Sequence, residues 1–180
     1  MKPSGIARNY AEALYQLTEP KGTAALETYA GLMEALAAAI ESSPQAEAVL
    51  MSPRVPKAVK AELIAKALDG APREFVRFAQ AVVRRGRQAW FREIATDFAT
   101  LVDAKFNRLR AAVTVARKPD TKLQKAIREQ LSAAFGKEVL PSFAIDPSIL
   151  GGAIVRVGDR TYDGSIRRRM AYLRRELLKS

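Results

Sequence analysis

Residues 150–177 of the chain have the sequence LGGAIVRVGDRTYDGSIRRRMAYLRREL, and this stretch decides the fold of the C-terminal part. Its segment AIVRV is rich in β-branched residues and lies between glycines, which predicts a short strand bounded by turns. Four apolar residues then recur at spacings of 4, 3 and 4, namely Ile166, Met170, Leu173 and Leu177. This period predicts an amphipathic helix whose apolar face belongs to the core.

Seven turn and capping residues surround this strand and open the helix. They are Gly151, Gly152, Gly158, Asp159, Asp163, Gly164 and Ser165. Glycine permits a positive φ and a close approach of two backbones at the ends of a strand. Asp163 and Ser165 are both competent N-caps, and Arg174 and Arg175 lie where the helix dipole favours cations. Each position thus has a structural explanation before any functional one.

The residues just upstream extend this part into a small domain. Residues 111–116, AAVTVA, are short and mostly β-branched or small, which predicts a strand. A helical period follows from Leu123 to Phe135, and Gly136 ends it. A second strand is predicted over residues 139–145, where Pro141 indicates an edge position. The predicted order is β-α-β-β-α, a small α+β domain.

The first part of the chain shows helical periods interrupted by proline, glycine and serine. The clearest is a run of apolar residues at spacings of 3, 4, 3 and 4, namely Leu26, Tyr29, Met33, Leu36 and Ile40. Six amphipathic helices with short connections predict a compact bundle, in which Trp90 is expected to fill the core. The prediction is therefore a mostly α protein with two domains, residues 1–106 and 107–180.

The composition excludes several classes of chemistry. The chain has 180 residues with no cysteine and no histidine, which removes disulfides, thiolate chemistry and the commonest general base and metal ligand. No spacing matches a phosphate-binding glycine loop. Asp159 and Asp163 resemble a catalytic carboxylate pair, but turn and capping roles explain both, with Arg160 as a counter-charge. We therefore expect no catalytic residue, no cofactor and no metal.

The net charge of +11 is unevenly distributed along the chain. It is −3 over residues 1–52, +5 over residues 53–105 and +9 over residues 106–180. A basic C-terminal third fits either nucleic acid or an acidic protein partner. The arginines of the last helix leave three alternatives open: contact with nucleic acid, contact with a protein, or a solvated helix face.

The order of these motifs resembles a known family. Two glycines, a strand, Gly-Asp, Asp-Gly-Ser and an arginine-rich helix are similar to the C-terminal signature of the ATP synthase delta subunit family, whose mitochondrial counterpart is the oligomycin-sensitivity-conferring protein. Residues 6–14, IARNYAEAL, resemble the opening helix of that family, except at Asn9, where members often carry proline. Residues 85–87, Arg-Gly-Arg, resemble the turn between its fifth and sixth helices.

This resemblance implies a mechanical function and no enzymatic activity. The chain would be a stator connector of the proton-translocating ATP synthase. Residues 1–106 would bind the catalytic head of alpha and beta subunits, and residues 107–180 would bind the b subunits of the peripheral stalk, so that rotor torque drives ATP synthesis. The resemblance also implies one copy per complex, located peripherally at the cytoplasmic face of the bacterial inner (plasma) membrane. Membrane contact would be indirect, and no nucleic acid would be bound.

The resemblance further implies two binding surfaces. In the family, a groove between the first and fifth helices accepts an amphipathic helix of the alpha subunit. Its counterparts here are Tyr10, Ala13, Leu14, Arg77, Phe78 and Ala81, although Leu14 and Phe78 fit a core position equally well. In the C-terminal domain, the possible stalk contacts are Arg167, Arg168 and Arg174.

Overall fold

The structure is a computed structural model that describes residues 3–177. These residues form eight α-helices and four strands in two compact units, Met1–Val102 and Asp103–Ser180. The predicted fold class, mostly α with a small α+β part, is confirmed. The boundary between the two units falls between Val102 and Asp103 in the sequence, four residues before the boundary expected at 106/107.

The first unit is a bundle of helices. They are α1 (Pro3–Thr18), α2 (Thr23–Ser42), α3 (Pro44–Met51), α4 (Lys57–Ala67), α5 (Arg73–Arg84) and α6 (Phe91–Lys105), whose last three residues lie past the boundary of the unit. Ser43 caps α3, because its hydroxyl oxygen accepts a hydrogen bond from the backbone N–H of Ala46 at 3.3 Å, and Pro44 occupies the first turn. The helix boundaries therefore follow the local turn and capping signals.

The core of this bundle contains one buried face of each long helix. All five residues of the α2 period are buried, as the period predicted. The largest fully buried side chains of the unit are Phe75, Phe98, Leu14, Leu26, Met33 and Ile94. Complete burial of one such side chain contributes roughly 1.5–3 kcal/mol, so these residues supply much of the stability of the bundle.

Trp90 is a correction to the predicted core. It lies half-buried in a short 3₁₀ turn just before α6, whereas its neighbour Phe91 is buried. The helical period alone does not distinguish a core position from a surface position for a single aromatic residue at the start of a helix. The α6 face that packs inward begins at Phe91 and continues through Ile94 and Phe98.

The second unit is a four-stranded sheet with two helices. Its elements are β1 (Arg108–Val115), α7 (Thr121–Phe135), β2 (Glu138–Ile145), β3 (Ala153–Val157), β4 (Arg160–Asp163) and α8 (Ile166–Leu177). The strand order is β2-β1-β3-β4, with β1 parallel to β2 and antiparallel to β3. Pro141 lies in β2, and β2 is an edge strand, as the proline predicted.

The sheet packs one face against α7. The buried centre is Ala111, Val113, Val115 and Val139, and the half-buried residues packed on it include Ile127, Leu131 and Phe135 of α7. Asp120 caps this helix, since its carboxylate accepts a hydrogen bond from the N–H of Leu123 at 2.7 Å, and Gly136 ends it at φ 65°.

The fourth strand corrects the predicted β-α-β-β-α order. β3 and β4 form a hairpin in which Val157 pairs with Arg160, so Gly158 and Asp159 are its two loop residues. Gly158 has a φ of 56°, as the first position of such a turn requires. A Gly-Asp pair after a strand is itself a hairpin signal. The prediction missed β4 because the strand has only four residues and they show no apolar alternation.

Candidate partner-binding surfaces

One face of α1 carries apolar residues that the bundle covers only partly. They follow each other at spacings of 4, 3 and 4: Ile6, Tyr10, Ala13 and Leu17. Ala13 is exposed, and Leu17 retains 40% of its surface. The neighbouring face of α1, with Ala7, Ala11 and Thr18, is fully buried. The helix therefore has two apolar faces, one inside the bundle and one at its surface.

α5 forms the second wall of this surface and runs antiparallel to α1. The rings of Tyr10 and Phe78 meet edge to face, with centroids 6.3 Å apart and planes at 73°. Beyond the other end of α1, Lys21 forms an ion pair with Glu74 in the first turn of α5. Ala81, one turn after Phe78, is exposed. We call the surface between these helices the α1/α5 groove.

The structure places the six predicted groove residues in different environments. Tyr10 and Phe78 are half-buried and in contact, while Ala13 and Ala81 are exposed on the two helices. Leu14 is a correction: it has no exposed surface, because it shares the inward face of α1. Arg77 is exposed and lines a hollow between the end of α4 and the start of α5, so its place in the groove stays a prediction.

Two arginines complete the groove and were not predicted as site residues. Arg85 and Arg87 line a hollow of about 280 Å³ together with Ile6, Asn9, Tyr10 and Ala13. The turn after α5 fixes both positions: Gly86 has a φ of 71°, and its N–H donates to the carbonyl of Val83 at 2.8 Å. Residues 85–87 were recognised only as a turn, although two arginines flanking a glycine were the available signal.

The seven signature residues of the C-terminal unit lie around β3 and the start of α8. Gly152 has a φ of 76°, and a Cβ there would overlap the carbonyl oxygen of Gly164. A Cβ on Gly151 would lie 2.7 Å from Cδ1 of Ile166. Ser165 caps α8, since its hydroxyl oxygen accepts a hydrogen bond from the N–H of Arg168 at 3.2 Å. These contacts give the signature a structural role.

The carboxylates of Asp146 and Asp163 accept backbone hydrogen bonds that stabilise turns. The side chain of Asp163 accepts a hydrogen bond from the N–H of Ser165 at 2.9 Å, and bonding to Ser165 holds the pKa of Asp163 below its ordinary value. Hydrogen bonds from Ser148 lower the pKa of Asp146 in the same way. A carboxyl group with a lowered pKa is ionised at neutral pH, so it is a poor general acid there.

The apolar stripe of α8 is the main correction to the sequence prediction. Its four residues were expected in the core, but Ile166, Met170, Leu173 and Leu177 keep 45%, 57%, 58% and 76% of their surface exposed. The 3₁₀ turn Pro147–Ile149 contacts the start of α8, where Arg167 donates a hydrogen bond to Ser148 Oγ at 3.1 Å. Arg168 and Arg174 are exposed beside the stripe. This helix therefore presents an apolar face flanked by arginines to the solvent.

Comparison with known proteins finds similarity over nearly the whole chain. The family model described as ATP synthase delta (OSCP) subunit matches residues 6–177. The chain is 44% identical over 173 residues to the ATP synthase subunit delta of Gemmatimonas aurantiaca, covering 96% of this chain and 92% of that protein. It is 35% identical to the subunit of the same name from Desulforamulus reducens, covering 99% and 98%.

The chain belongs to the ATP synthase delta (OSCP) subunit family. Members of this family are subunits of the peripheral stalk of ATP synthase. A chain from the cryo-electron microscopy structure of the mitochondrial ATP synthase hexamer of Toxoplasma gondii has a similar fold, with a TM-score of 0.71 at 20% identity. That similarity covers 96% of this chain and 97% of the other. It concerns the fold alone.

Two further observations concern the residues of this delta-family chain that the structure describes. Among residues 3–177, no helix is both long enough and apolar enough to cross a lipid bilayer. Within the same residues, no group of three or more acidic side chains is placed to hold a metal ion, and the sequence has no histidine or cysteine. The candidate partner-binding surfaces are the α1/α5 groove and the exposed stripe of α8.

Proposed function

We propose that this protein is the stator connector of a rotary, proton-translocating ATP synthase and has no catalytic activity of its own. Its first unit would hold the catalytic head through the alpha subunit, and its second unit would hold the b subunits of the peripheral stalk. The observation that carries the proposal is that each unit exposes an apolar helix stripe flanked by arginines. Membership of the delta (OSCP) family supports it.

The α1/α5 groove suits an amphipathic helix from the head. Ala13 and Ala81 are small and exposed, so a partner helix could approach the backbone of both walls closely. Tyr10, Phe78 and Leu17 would supply apolar contact area. In helix-in-groove recognition such apolar anchors provide most of the affinity. We therefore assign the groove to the N-terminal helix of an alpha subunit.

The exposed stripe of α8 suits a helix of the stalk. The apolar residues Met170 and Leu173 would pack on the partner, while Arg167, Arg168 and Arg174 would meet acidic side chains along its edges. The second unit has a net charge of +9, which favours approach of an acidic partner. We therefore assign this surface to the b subunits.

The proposed mechanism is mechanical. A subunit that holds both the head and the stalk prevents the head from turning with the rotor, so torque is converted into ATP synthesis. Two linked binding units raise the effective concentration of the second contact once the first has formed. We further propose one copy per complex, located peripherally at the cytoplasmic face of the bacterial inner membrane.

The proposal for the groove is tested by titrating the full-length chain with a synthetic peptide of the alpha-subunit N-terminal helix. We expect a dissociation constant in the micromolar range or tighter. Ala13→Glu should abolish binding without unfolding the bundle, because Ala13 is exposed and a longer side chain would fill the groove. The matched control is Ala35→Glu, at an exposed position of α2, which should bind as the wild type does.

Calorimetric titration measures this binding, and circular dichroism checks the fold of each variant. Absence of binding by the folded wild type at about 100 μM peptide would contradict the groove assignment. Unfolding caused by Ala13→Glu, with Ala35→Glu remaining folded, would show that Ala13 belongs to the core.

A nucleic-acid adaptor is the second candidate, since α8 carries five exposed arginines: Arg167, Arg168, Arg169, Arg174 and Arg175. Salt distinguishes the two functions. Binding to nucleic acid weakens steeply with added salt because counterions are released, whereas binding through an apolar stripe responds little. The connector is favoured because these arginines flank an apolar face that nucleic acid would leave exposed.

A further inference from the structure

The surface of α5 is unusually basic for its surroundings. Residues 73–87 contain one glutamate and five arginines, namely Arg73, Arg77, Arg84, Arg85 and Arg87. The other residues of the segment 1–102 contain eight basic and ten acidic side chains. All five arginines are exposed. The positive charge of the first unit is therefore concentrated on one helix and the turn that follows it.

These five arginines have no ion-pair partner among residues 3–177. Elsewhere in the unit, Arg8 pairs with Glu12 at 2.9 Å and Arg92 pairs with Glu41 at 3.3 Å. The glutamate of α5, Glu74, is instead paired with Lys21. We call these five residues the arginine array, and no ion pair within residues 3–177 neutralises its charge.

The helix dipole explains only part of this array. Cations near the C-terminus of a helix are favourable, which accounts for Arg84 and Arg85 in and after the last turn of α5. Arg73 lies in the first turn, where the dipole disfavours a positive charge. Helix stability therefore gives no reason for an array that runs along the whole helix.

Two members of the array belong to the α1/α5 groove. Arg85 and Arg87 line its hollow beside the apolar side chains of Ile6 and Tyr10. The turn holds them in place, because the N–H of Arg87 donates to the carbonyl of Val82 at 3.0 Å. Unpaired positive charge thus lies at one end of an apolar groove, next to the position that a bound helix would occupy.

We propose that the α1/α5 groove selects a helix that carries acidic side chains beside its apolar stripe, and that Arg85 and Arg87 read those side chains. This inference rests on the proposed function of the groove as a helix-binding site. The apolar wall gives affinity to any amphipathic helix, whereas the arginines discriminate by charge: they attract a glutamate and repel a lysine. Charge at the rim also speeds association.

The test uses the full-length chain and three synthetic amphipathic peptides of about 20 residues with one common apolar face. Flanking positions at one end carry glutamate, glutamine or lysine. At low salt we expect the glutamate peptide to bind at least about tenfold more tightly than the lysine peptide, and this ratio to shrink at about 300 mM salt.

Two double variants test whether the charge selection depends on the arginines that line the hollow. Arg85→Gln combined with Arg87→Gln should slow association of the glutamate peptide about three- to tenfold and leave the glutamine peptide unchanged. The matched control, Arg54→Gln combined with Arg73→Gln, removes the same charge from two exposed arginines outside the hollow and should have a much smaller effect. If the two double variants slow association equally, the proposed contact of Arg85 and Arg87 with the glutamates of the peptide is wrong.

The remaining outcomes separate this inference from the proposed function. Equal binding of all three peptides would overturn the charge selection and leave the groove as a helix site. If none of the peptides binds the folded chain, both proposals fail. An oligonucleotide that displaces the glutamate peptide, and loses affinity in the Arg85→Gln, Arg87→Gln variant, would assign the arginines to nucleic acid instead.

Discussion

At the scale of single residues, the C-terminal signature is explained by backbone geometry. Gly152 combines a φ of 76° with a position where a Cβ would overlap the backbone of Gly164. Gly158 also has a positive φ, 56°, but a Cβ there would meet no atom within 4 Å. The two glycines therefore share the conformational requirement, and only Gly152 also requires close packing.

This difference gives a prediction with an internal control. Gly152→Ala should destabilise the second unit by at least about 1 kcal/mol more than Gly158→Ala, because it adds a steric overlap to the same unfavourable φ. Hydrogen exchange of β1 and β3 in urea measures the stability of that unit in the full chain. Equal destabilisation by the two substitutions would contradict the close approach to Gly164.

At the scale of elements, the sequence predicted helices and strands better than it predicted what covers them. Period alone placed α2 correctly, and its five apolar residues are buried. The equally regular stripe of α8 is exposed. A period identifies an apolar face, but it contains no information about the element that packs on it. The same limit applies to α1, where Leu14 and Leu17 both fit an apolar face and only Leu14 is buried.

Other parts of the candidate site depended on long-range geometry. Tyr10 and Phe78 could be proposed from a family resemblance, but their contact joins two helices that lie far apart in the sequence. Arg85 and Arg87 line the hollow with residues of α1 that lie far away in the sequence. A single sequence does not encode these pairings in any local pattern.

The exposure of α8 predicts that two similar substitutions destabilise the second unit to different extents. Leu173→Asp should change the free energy of unfolding by less than about 0.5 kcal/mol, because Leu173 is at the surface. Leu131→Asp should destabilise the second unit by several times more, because it places a charge against the buried centre of the sheet. Thermal unfolding measures both, and equally large losses would show that the α8 stripe is buried.

At the scale of the whole molecule, two compact units with separate exposed stripes fit a protein that joins two partners. Each surface alone needs only moderate affinity, since binding at one unit raises the effective concentration at the other. The arrangement therefore favours a connector.

The central claim is tested most directly by sedimentation velocity on three purified components: the catalytic head, a soluble b-subunit fragment and this chain. We predict that the head and the fragment sediment separately, and that adding the chain brings all three into one complex. Ala13→Glu should release the head and keep the fragment, while Leu173→Asp should release the fragment and keep the head. If the head and the fragment compete for the chain, or associate equally well without it, the connector function is wrong.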